Sequence, residues 1–374
     1  MRYFDNNATT KMESDLAERF AKLCVEEYAN PNSMHSFGLR EARYLEEARR
    51  KIARSLSSDP REIYFTSCAT ESINWILRSS VLFKGRRKRI VTTSIEHKAV
   101  LNTLKDLKAS SDIDYRTVGP ERNGIVKVAK LLDEVDEETF LVSLMAVNNV
   151  TGAIQPYEEI GEELRRRNVL FHLDAVQTIG KIPIDFVSCF CDYASFSAHK
   201  FHGPKGVGVT YVRQGTPIRP LITGGGQERG MRSGTQNVPG AVIAATALQR
   251  AVECTQESSS RLREYQHRIK ETVEELDGVV NTPENSISNT VNASFAGIRS
   301  EVLVNALSEE GVFVGTSSAC SSRGDGGQYV LDSMGLDFSL ASSSIRISMS
   351  RFTTEEDVAF LIEKLKKTVP LLKF

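Results

Sequence analysis

The sequence predicts an α/β protein with a largely parallel sheet. From about residue 13 to residue 213, short apolar runs rich in β-branched residues alternate with amphipathic stretches of helical spacing. Alternation of this kind is typical of parallel strands joined by helical crossovers. The predicted strands are 62–67, 89–94, 140–147, 169–175, 192–197 and 206–212, and a predicted helix covers 39–56.

The pattern changes after the glycine-rich segment 221–230. A long, charged helical region follows at about 240–276, before another apolar run and a serine-rich segment. A chain of 374 residues also exceeds what one hydrophobic core usually serves. We therefore expect a large domain over 15–250 and a smaller α+β domain formed by 1–14 and 251–374.

Composition and charge argue against a nucleic-acid or membrane partner. The 47 basic and 48 acidic residues give a formal net charge of −1, so no strong field is expected. No apolar stretch approaches the ~20 residues of a membrane span, and the first residues lack the apolar region of a signal peptide. Six cysteines in a chain of this length do not indicate a disulfide scaffold. We expect a cytoplasmic protein with reduced thiols.

Polar side chains follow several of the predicted strands. In open α/β sheets, ligands bind beyond the carboxyl ends of the strands. Lys200 and His97 each follow a predicted strand, and Asp174 lies near the end of another, after a run of apolar residues. Another strand leads by a tight turn into a helix whose first N–H groups, near Ala69 and Thr70, would face an anion.

Each of these signals has a structural alternative when taken alone. Lys200 could be a solvated residue at the rim of the sheet, and His97 could be a satisfied structural histidine. Taken together, an amine, a carboxylate, an anion-binding turn and an imidazole suit one cofactor, pyridoxal 5′-phosphate. They would provide a Schiff-base lysine, a partner for the ring nitrogen, a phosphate site and a group that stacks on the ring.

Residues 315–328, GTSSACSSRGDGGQ, surround one cysteine with serines and glycines. Such residues bury little apolar surface, so we expect a mobile surface loop. From this segment alone, Cys320 is either a small packing residue or a nucleophile.

Ordered blocks along almost the whole chain resemble the cysteine desulfurases of the class V aminotransferase family. The blocks are YFDNNATT, SCATES, EHKAV, VNN, DAVQTIGKIPID, SFSAHKFHGPKGVG, GGGQERGMRSGTQN, SSACSS and SSIRIS. The resemblance implies the type I pyridoxal-phosphate-dependent transferase fold, with a large, mostly parallel-sheet domain, a smaller α+β domain and a homodimeric assembly. It also implies conversion of L-cysteine to L-alanine, with the sulfur delivered to an acceptor protein for iron–sulfur cluster assembly or for transfer RNA thiolation.

The resemblance assigns the catalytic roles to three residues. Lys200 would bind the cofactor covalently, and His97 would stack on its ring and handle protons. Cys320 would accept the sulfur as a persulfide, with His97 as the candidate acceptor of its thiol proton. No resident metal is implied, although Cys320 would be able to ligate an iron–sulfur cluster transiently.

Further residues are implied in binding the cofactor and the substrate. Asp174 would face the pyridine nitrogen, and Thr235 would reach the phosphate in the neighbouring subunit. The remaining cofactor contacts would be Ala69, Thr70, His97, Asn149, Gln177, Ser197, His199 and Lys200. The substrate would be bound by Arg346, through its carboxylate, and by Asn149 and Asn7.

Three positions depart from the family pattern. Cys68 and Ala198 stand where glycine is common, and Val150 follows the paired asparagines where glutamate is common. We interpret Cys68 as a small packing residue. Val150 puts in doubt any role that the glutamate has in tuning the site.

Two other functions remain open from the sequence. Selenocysteine lyase shares the fold and the cofactor and differs in the atom that is attacked. A non-catalytic protein that docks sulfur-transfer partners is disfavoured because Lys200, Asp174, His97 and Cys320 are all present.

Overall fold

The computed structural model describes residues 1–316 and 327–373, which form two β-sheets with helices packed against them. The strands are β1 (Arg2–Phe4), β2 (Ile63–Thr66), β3 (Arg89–Thr93), β4 (Asp114–Val118), β5 (Thr139–Met145), β6 (Leu170–Asp174), β7 (Tyr193–Ser197), β8 (Gly208–Val212), β9 (Val279–Val280), β10 (Thr290–Ser294), β11 (Val312–Thr316) and β12 (Ser344–Ser348). The helices are α1 (Ser14–Glu26), α2 (Ser36–Ser55), α3 (Ala69–Val81), α4 (Lys98–Ser110), α5 (Val128–Leu132), α6 (Tyr157–Arg166), α7 (Val238–Glu253), α8 (Thr255–Glu275), α9 (Ser300–Glu309), α10 (Gln328–Ser333), α11 (Phe338–Ser342) and α12 (Glu355–Leu372).

The larger sheet confirms the α/β class. Over the described residues its strand order is β2-β8-β7-β6-β5-β3-β4, and the strands from β7 to β4 are parallel to their neighbours. Every residue of β5 is buried, as expected for a strand covered by helices on both faces. Strand β8 is antiparallel to β7 because the short turn between them is too short for a helical crossover.

The smaller sheet joins the beginning of the chain to its last third. Over the same residues its order is β1-β11-β12-β10-β9, with β1 parallel to β11 and the other pairs antiparallel. A separate cluster of buried apolar side chains lies against it, including Phe4, Phe295 and Leu361. The domain boundaries at residues 14 and 250 stay a prediction.

The long helical region predicted at 240–276 is interrupted at Cys254, so it forms α7 and α8. At the junction, the hydroxyl of Thr255 donates to the carbonyl of Ala251, and the hydroxyl of Ser258 donates to that of Cys254. Hydroxyl groups that bond back in this way bend helices. In the described ranges, no helix has both the length and the apolar composition needed to cross a bilayer.

Candidate active site

A cavity of about 390 Å³ opens where β6 and β7 end and α3 begins. This is the carboxyl edge of the parallel sheet, where ligands of α/β proteins bind. The structure brings most of the predicted site residues into its wall: Asn7, Ala69, Thr70, His97, Asn149, Asp174, Gln177, Ser197, His199, Lys200 and Arg346. Thr235 does not line this cavity, and Cys320 lies outside the described residues.

Lys200 follows β7 by one short helical turn, which directs its amine into the cavity. Its Nζ donates to the carbonyl oxygens of Asn7 and Ala8, at 2.6 and 2.8 Å. Burial, helped by the charge of Arg346, lowers the pKa of the Lys200 amine to about 8. A lysine that loses its proton this easily has a larger share of nucleophilic amine at neutral pH than a solvated lysine.

Asp174 is the last residue of β6 and is buried. Its Oδ1 accepts a hydrogen bond from the backbone N–H of Val176 at 3.0 Å. Burial raises the pKa of this carboxyl to about 6, against the opposing effects of that hydrogen bond and the charge of Lys200. One hydrogen bond and the charge of Lys200 do not offset the cost of burying this carboxylate. Asp174 therefore favours a cationic partner, which a protonated ring nitrogen would supply.

His97 caps the first turn of α4, and its Nδ1 accepts a hydrogen bond from the N–H of Ala99 at 3.0 Å. His97 is exposed where it lines the cavity, and desolvation by the nearby protein, followed by the charge of Lys200, lowers its pKa. A neutral ring with this hydrogen bond carries its proton on Nε2. His97 can therefore accept a thiol proton only if the bond from Ala99 opens.

The first turn of α3 contributes the anion-binding part of the wall. Cys68 is the N-cap, and Ala69 and Thr70 begin the helix, so their backbone N–H groups lie at its positive end. On the opposite side, His199 shares a hydrogen bond of 3.1 Å with the hydroxyl of Thr9. Burial first, and then the charges of nearby lysines, lower the pKa of His199 to about 4, so this residue of the cavity wall is neutral at pH 7.

Arg346, on β12, is held by two acceptors from other parts of the chain. Its Nη1 donates to the carbonyl of Asn149 at 3.0 Å, and its Nη2 lies 2.6 Å from Oδ1 of Asp5. Among the described residues, neither Nε of Arg346 nor Oδ1 of Asn149 has a hydrogen-bond partner, although both atoms are buried. Unpaired buried polar atoms in a cavity wall are suited to a polar ligand.

Asn7 and Gln177 belong to a hydrogen-bonded group behind Lys200. The side chain of Gln177 donates to the carbonyl of Asn7 at 3.0 Å, and the side chain of Asn7 donates to the hydroxyl of Thr290 at 2.9 Å. The amine of Lys181 contacts the side-chain oxygens of both residues. Burial lowers the pKa of Lys181 well below its usual value.

Thr235 is exposed and lies in a glycine-rich segment that two ion pairs hold to the rest of the chain. Glu228 forms two hydrogen bonds of 2.9 Å with the guanidinium of Arg49, and both side chains are buried. Arg232 pairs with Glu71 of α3 at 2.8 Å. The segment is therefore tied to α2 and α3, while Thr235 itself does not line the cavity of its own chain.

Sequence reasoning did not single out Asp5, Glu96 or Lys181. Glu96 is completely buried beside His97, and burial raises the pKa of its carboxyl to about 8. Its Oε1 accepts from the N–H of Met145 and the hydroxyl of Thr93. Asp5 and Glu96 could have been found from their positions in the sequence. Asp5 lies in the block YFDNNATT, and Glu96 directly precedes His97.

The structure gives physical settings for the departures from the family pattern. Cys68 lies in the cavity wall as a free thiol. Val150 is buried in an apolar cluster with Ile95 and Val330. A Cβ atom at Gly327 would lie 2.3 Å from Cγ2 of Val150, so Val150 packs tightly beneath the start of α10.

These residues fit pyridoxal 5′-phosphate. The cavity offers a helix N-terminus for a phosphate, a buried carboxylate for a ring nitrogen and a partly desolvated amine for an aldehyde. The unpaired oxygen of Asn149 is free to accept from a ring hydroxyl.

The fold and this cavity define a class of enzyme, and comparison with known proteins identifies it. The family model "Aminotransferase class-V" matches residues 2–361. The chain belongs to this family. It therefore has the type I pyridoxal-phosphate-dependent transferase fold that its sequence predicts.

Within the family, the curated relatives carry one activity in their names. A cysteine desulfurase from Nostoc sp. is 37% identical over 381 residues, which cover 99% of this chain and 93% of the relative. The cysteine desulfurase IscS from Serratia proteamaculans is 39% identical over 380 residues, with 99% and 93% covered. A solved NifS-like protein superposes with a TM-score of 0.94 at 46% identity, over 99% of this chain and all of the other.

Proposed function

We propose that the protein is a pyridoxal-phosphate-dependent cysteine desulfurase that converts L-cysteine to L-alanine and keeps the sulfur on Cys320 as a persulfide. The observation that carries the proposal is the meeting of Lys200, Asp174, His97 and Arg346 around one cavity. Over almost its full length, the chain is similar to proteins named cysteine desulfurase.

The chain's own residues bind and orient the two small molecules. Lys200 would hold the cofactor, Asp174 its ring nitrogen, and the first turn of α3 its phosphate. When bound, pyridoxal phosphate withdraws electrons from the bonds around the substrate Cα. Arg346 would receive the substrate carboxylate, and its contacts with Asn149 and Asp5 orient the guanidinium beforehand.

The sulfur step uses a residue that lies outside the described residues. The thiolate of Cys320 attacks the substrate sulfur, so a sulfur–sulfur bond forms as the carbon–sulfur bond breaks. The electron pair stays with the carbon fragment, which gains a proton and leaves as alanine. A thiol of ordinary pKa is only a few per cent ionised at pH 7, so a nearby group must take the proton.

The direct test is a side-by-side assay with L-cysteine and L-selenocysteine. We expect stoichiometric alanine and, with a thiol reductant, sulfide from cysteine. Alanine from selenocysteine alone would identify a selenocysteine lyase. Absence of alanine from both, with partners still bound, would favour the non-catalytic docking protein.

The proposal extends to a homodimer in the cytoplasm that passes sulfur to an acceptor protein. Exposed apolar side chains near the end of α1 and the start of α2, Val25, Tyr28, Met34 and Leu39, support association of two copies. A pull-down before and after a cysteine pulse would identify acceptors that bind only the persulfide form. Iron–sulfur cluster assembly and transfer RNA thiolation are the two expected destinations.

The exposed position of Thr235 leads to a prediction about the dimer. If its hydroxyl completes the phosphate site of the partner subunit, Thr235→Val should weaken cofactor binding about ten- to hundredfold, the effect of losing a hydrogen bond to a charged group. Cofactor affinity is measured by equilibrium dialysis, and light scattering verifies that the variant stays dimeric. Unchanged affinity in the variant, or in wild type diluted to monomer, would refute the shared site.

The raised pKa of Asp174 leads to a pH prediction. A cationic ring nitrogen favours the ionised carboxylate, so binding must expel the Asp174 proton when the pH lies below about 6. Cofactor affinity should therefore be independent of this group above about pH 6 and fall by up to about tenfold for each pH unit below it. The phosphate titrates in the same range, so Asp174→Asn is the matched control. Equal pH dependence in the two proteins would contradict the assignment.

A further inference from the structure

Asp5, Gly315 and Arg346 meet on three neighbouring strands of the smaller sheet. Asp5 follows β1, and Gly315 of β11 lies directly opposite Arg346 of β12. Just beyond the end of β1, Asp5 pairs directly with Ser348 of β12, and its carboxylate lies over Gly315 beside the guanidinium. A Cβ atom at Gly315 would lie 2.7 Å from Oδ1 of Asp5 and 3.1 Å from Nη2 of Arg346, so a larger residue would force the pair to shift.

Arg346 lines the active-site cavity, and Asp5 forms an ion pair with it. The carboxylate oxygen and the guanidinium nitrogen are 2.6 Å apart, and the two side chains are 24% and 11% exposed. The charge of Asp5 also reaches Lys200, whose pKa it raises against the larger lowering effects of burial and Arg346. The field of Asp5 therefore acts on the cavity and is not confined to its partner.

We propose that Asp5 is a positioning and affinity-setting residue for the amino-acid carboxylate, acting through Arg346. The inference rests on the proposed function, in which Arg346 binds that carboxylate. Asp5 fixes the orientation of the guanidinium and also supplies a resident negative charge that the incoming carboxylate must approach. It lowers the affinity of the site for every amino acid that binds through its carboxylate, including the product alanine.

The two effects of Asp5 on ligand affinity are opposed: orienting Arg346 favours binding, and repelling the ligand carboxylate disfavours it. A variant without the charge at this position separates them. Asp5→Asn is nearly isosteric and keeps an oxygen that can accept from Nη2, so the orientation of Arg346 should persist while the repulsion disappears. A purely structural role predicts unchanged or weaker ligand binding in the variant, whereas an electrostatic role predicts tighter binding.

The test measures alanine binding to the cofactor-loaded protein by calorimetry, together with the KM for cysteine. In Asp5→Asn we expect the dissociation constant of alanine to fall about three- to thirtyfold, with a parallel fall in KM. Alaninamide, which has no carboxylate, should bind both proteins equally. Asp5→Ser, which removes the charge with a smaller polar group, is a second variant and should shift alanine binding in the same direction.

Asp15→Asn is the matched control, because it removes one negative charge from an exposed pair with Arg250. It should leave alanine binding unchanged. Weaker or unchanged alanine binding in both Asp5 variants would overturn the inference. If wild type binds alanine but does not form it from cysteine, the proposed function fails while the comparison of Asp5 variants still stands.

Discussion

Lys200→Ala should abolish alanine formation and the covalent attachment of pyridoxal phosphate. The amine is held by two backbone carbonyls, and its lowered pKa provides both a nucleophile and a group that can carry a proton. Loss of a positioned proton carrier alone slows reactions by about 10²–10⁴-fold, and loss of attachment adds to this. Borohydride should fix cofactor to wild type and not to the variant, as read by mass spectrometry of the intact chain.

Lys205→Ala provides the matched control for Lys200. Lys205 is exposed, in the turn that follows Lys200, and does not line the cavity. Its removal should leave both attachment and turnover unchanged. Cofactor that borohydride still fixes to the Lys200→Ala chain would show that another amine carries it.

Cys320→Ser should separate substrate binding from sulfur transfer. Serine keeps the size and polarity of cysteine but replaces a readily ionised, soft nucleophile with a hydroxyl that stays protonated at neutral pH. Because Lys200, Asp174 and Arg346 do not depend on this group, the variant should bind cofactor and cysteine as wild type does. Alanine formation should fall to background, and no persulfide should form.

Cys68→Ser is the informative comparison, because Cys68 is the free thiol that the structure places in the cavity wall. We expect this variant to form alanine normally, with the added sulfur found on Cys320 by mass spectrometry after a cysteine pulse. Sulfur on Cys68, or near-normal turnover by Cys320→Ser, would move the acceptor role away from Cys320.

The site residues that could be predicted from the sequence are those at the ends of the strands. Asp174, Lys200 and His97 could be located because each follows a short apolar run, and the strand ends of a parallel sheet share one edge. Six strands of the larger sheet were recognisable for the same reason, but β4 (Asp114–Val118) was not predicted. Residues 240–276 were recognisable as helical but not as two helices, because the hydroxyl bonds that bend them are specific to the folded backbone.

The unpredicted part of the site depends on contacts between distant segments. Asp5 reaches Arg346, 341 positions later, only because the chain after β1 pairs with β12, and no periodicity in the sequence indicates that pairing. Glu96 accepts a hydrogen bond from Met145 of β5, and the amine of Lys181 donates to the side chains of Asn7 and Gln177. Local patterns report secondary structure well, but they carry little information about which ends of the chain meet.

The place of β1 beside β11 has a consequence for how the enzyme acquires activity. The carbonyl groups of Asn7 and Ala8 that hold Lys200 come from a segment whose strand pairs with residues some three hundred positions later. Such a contact has a high sequence separation and forms slowly. During synthesis, the larger sheet can fold while the amine still lacks its acceptors, so catalytic competence should appear only after the last third of the chain has left the ribosome.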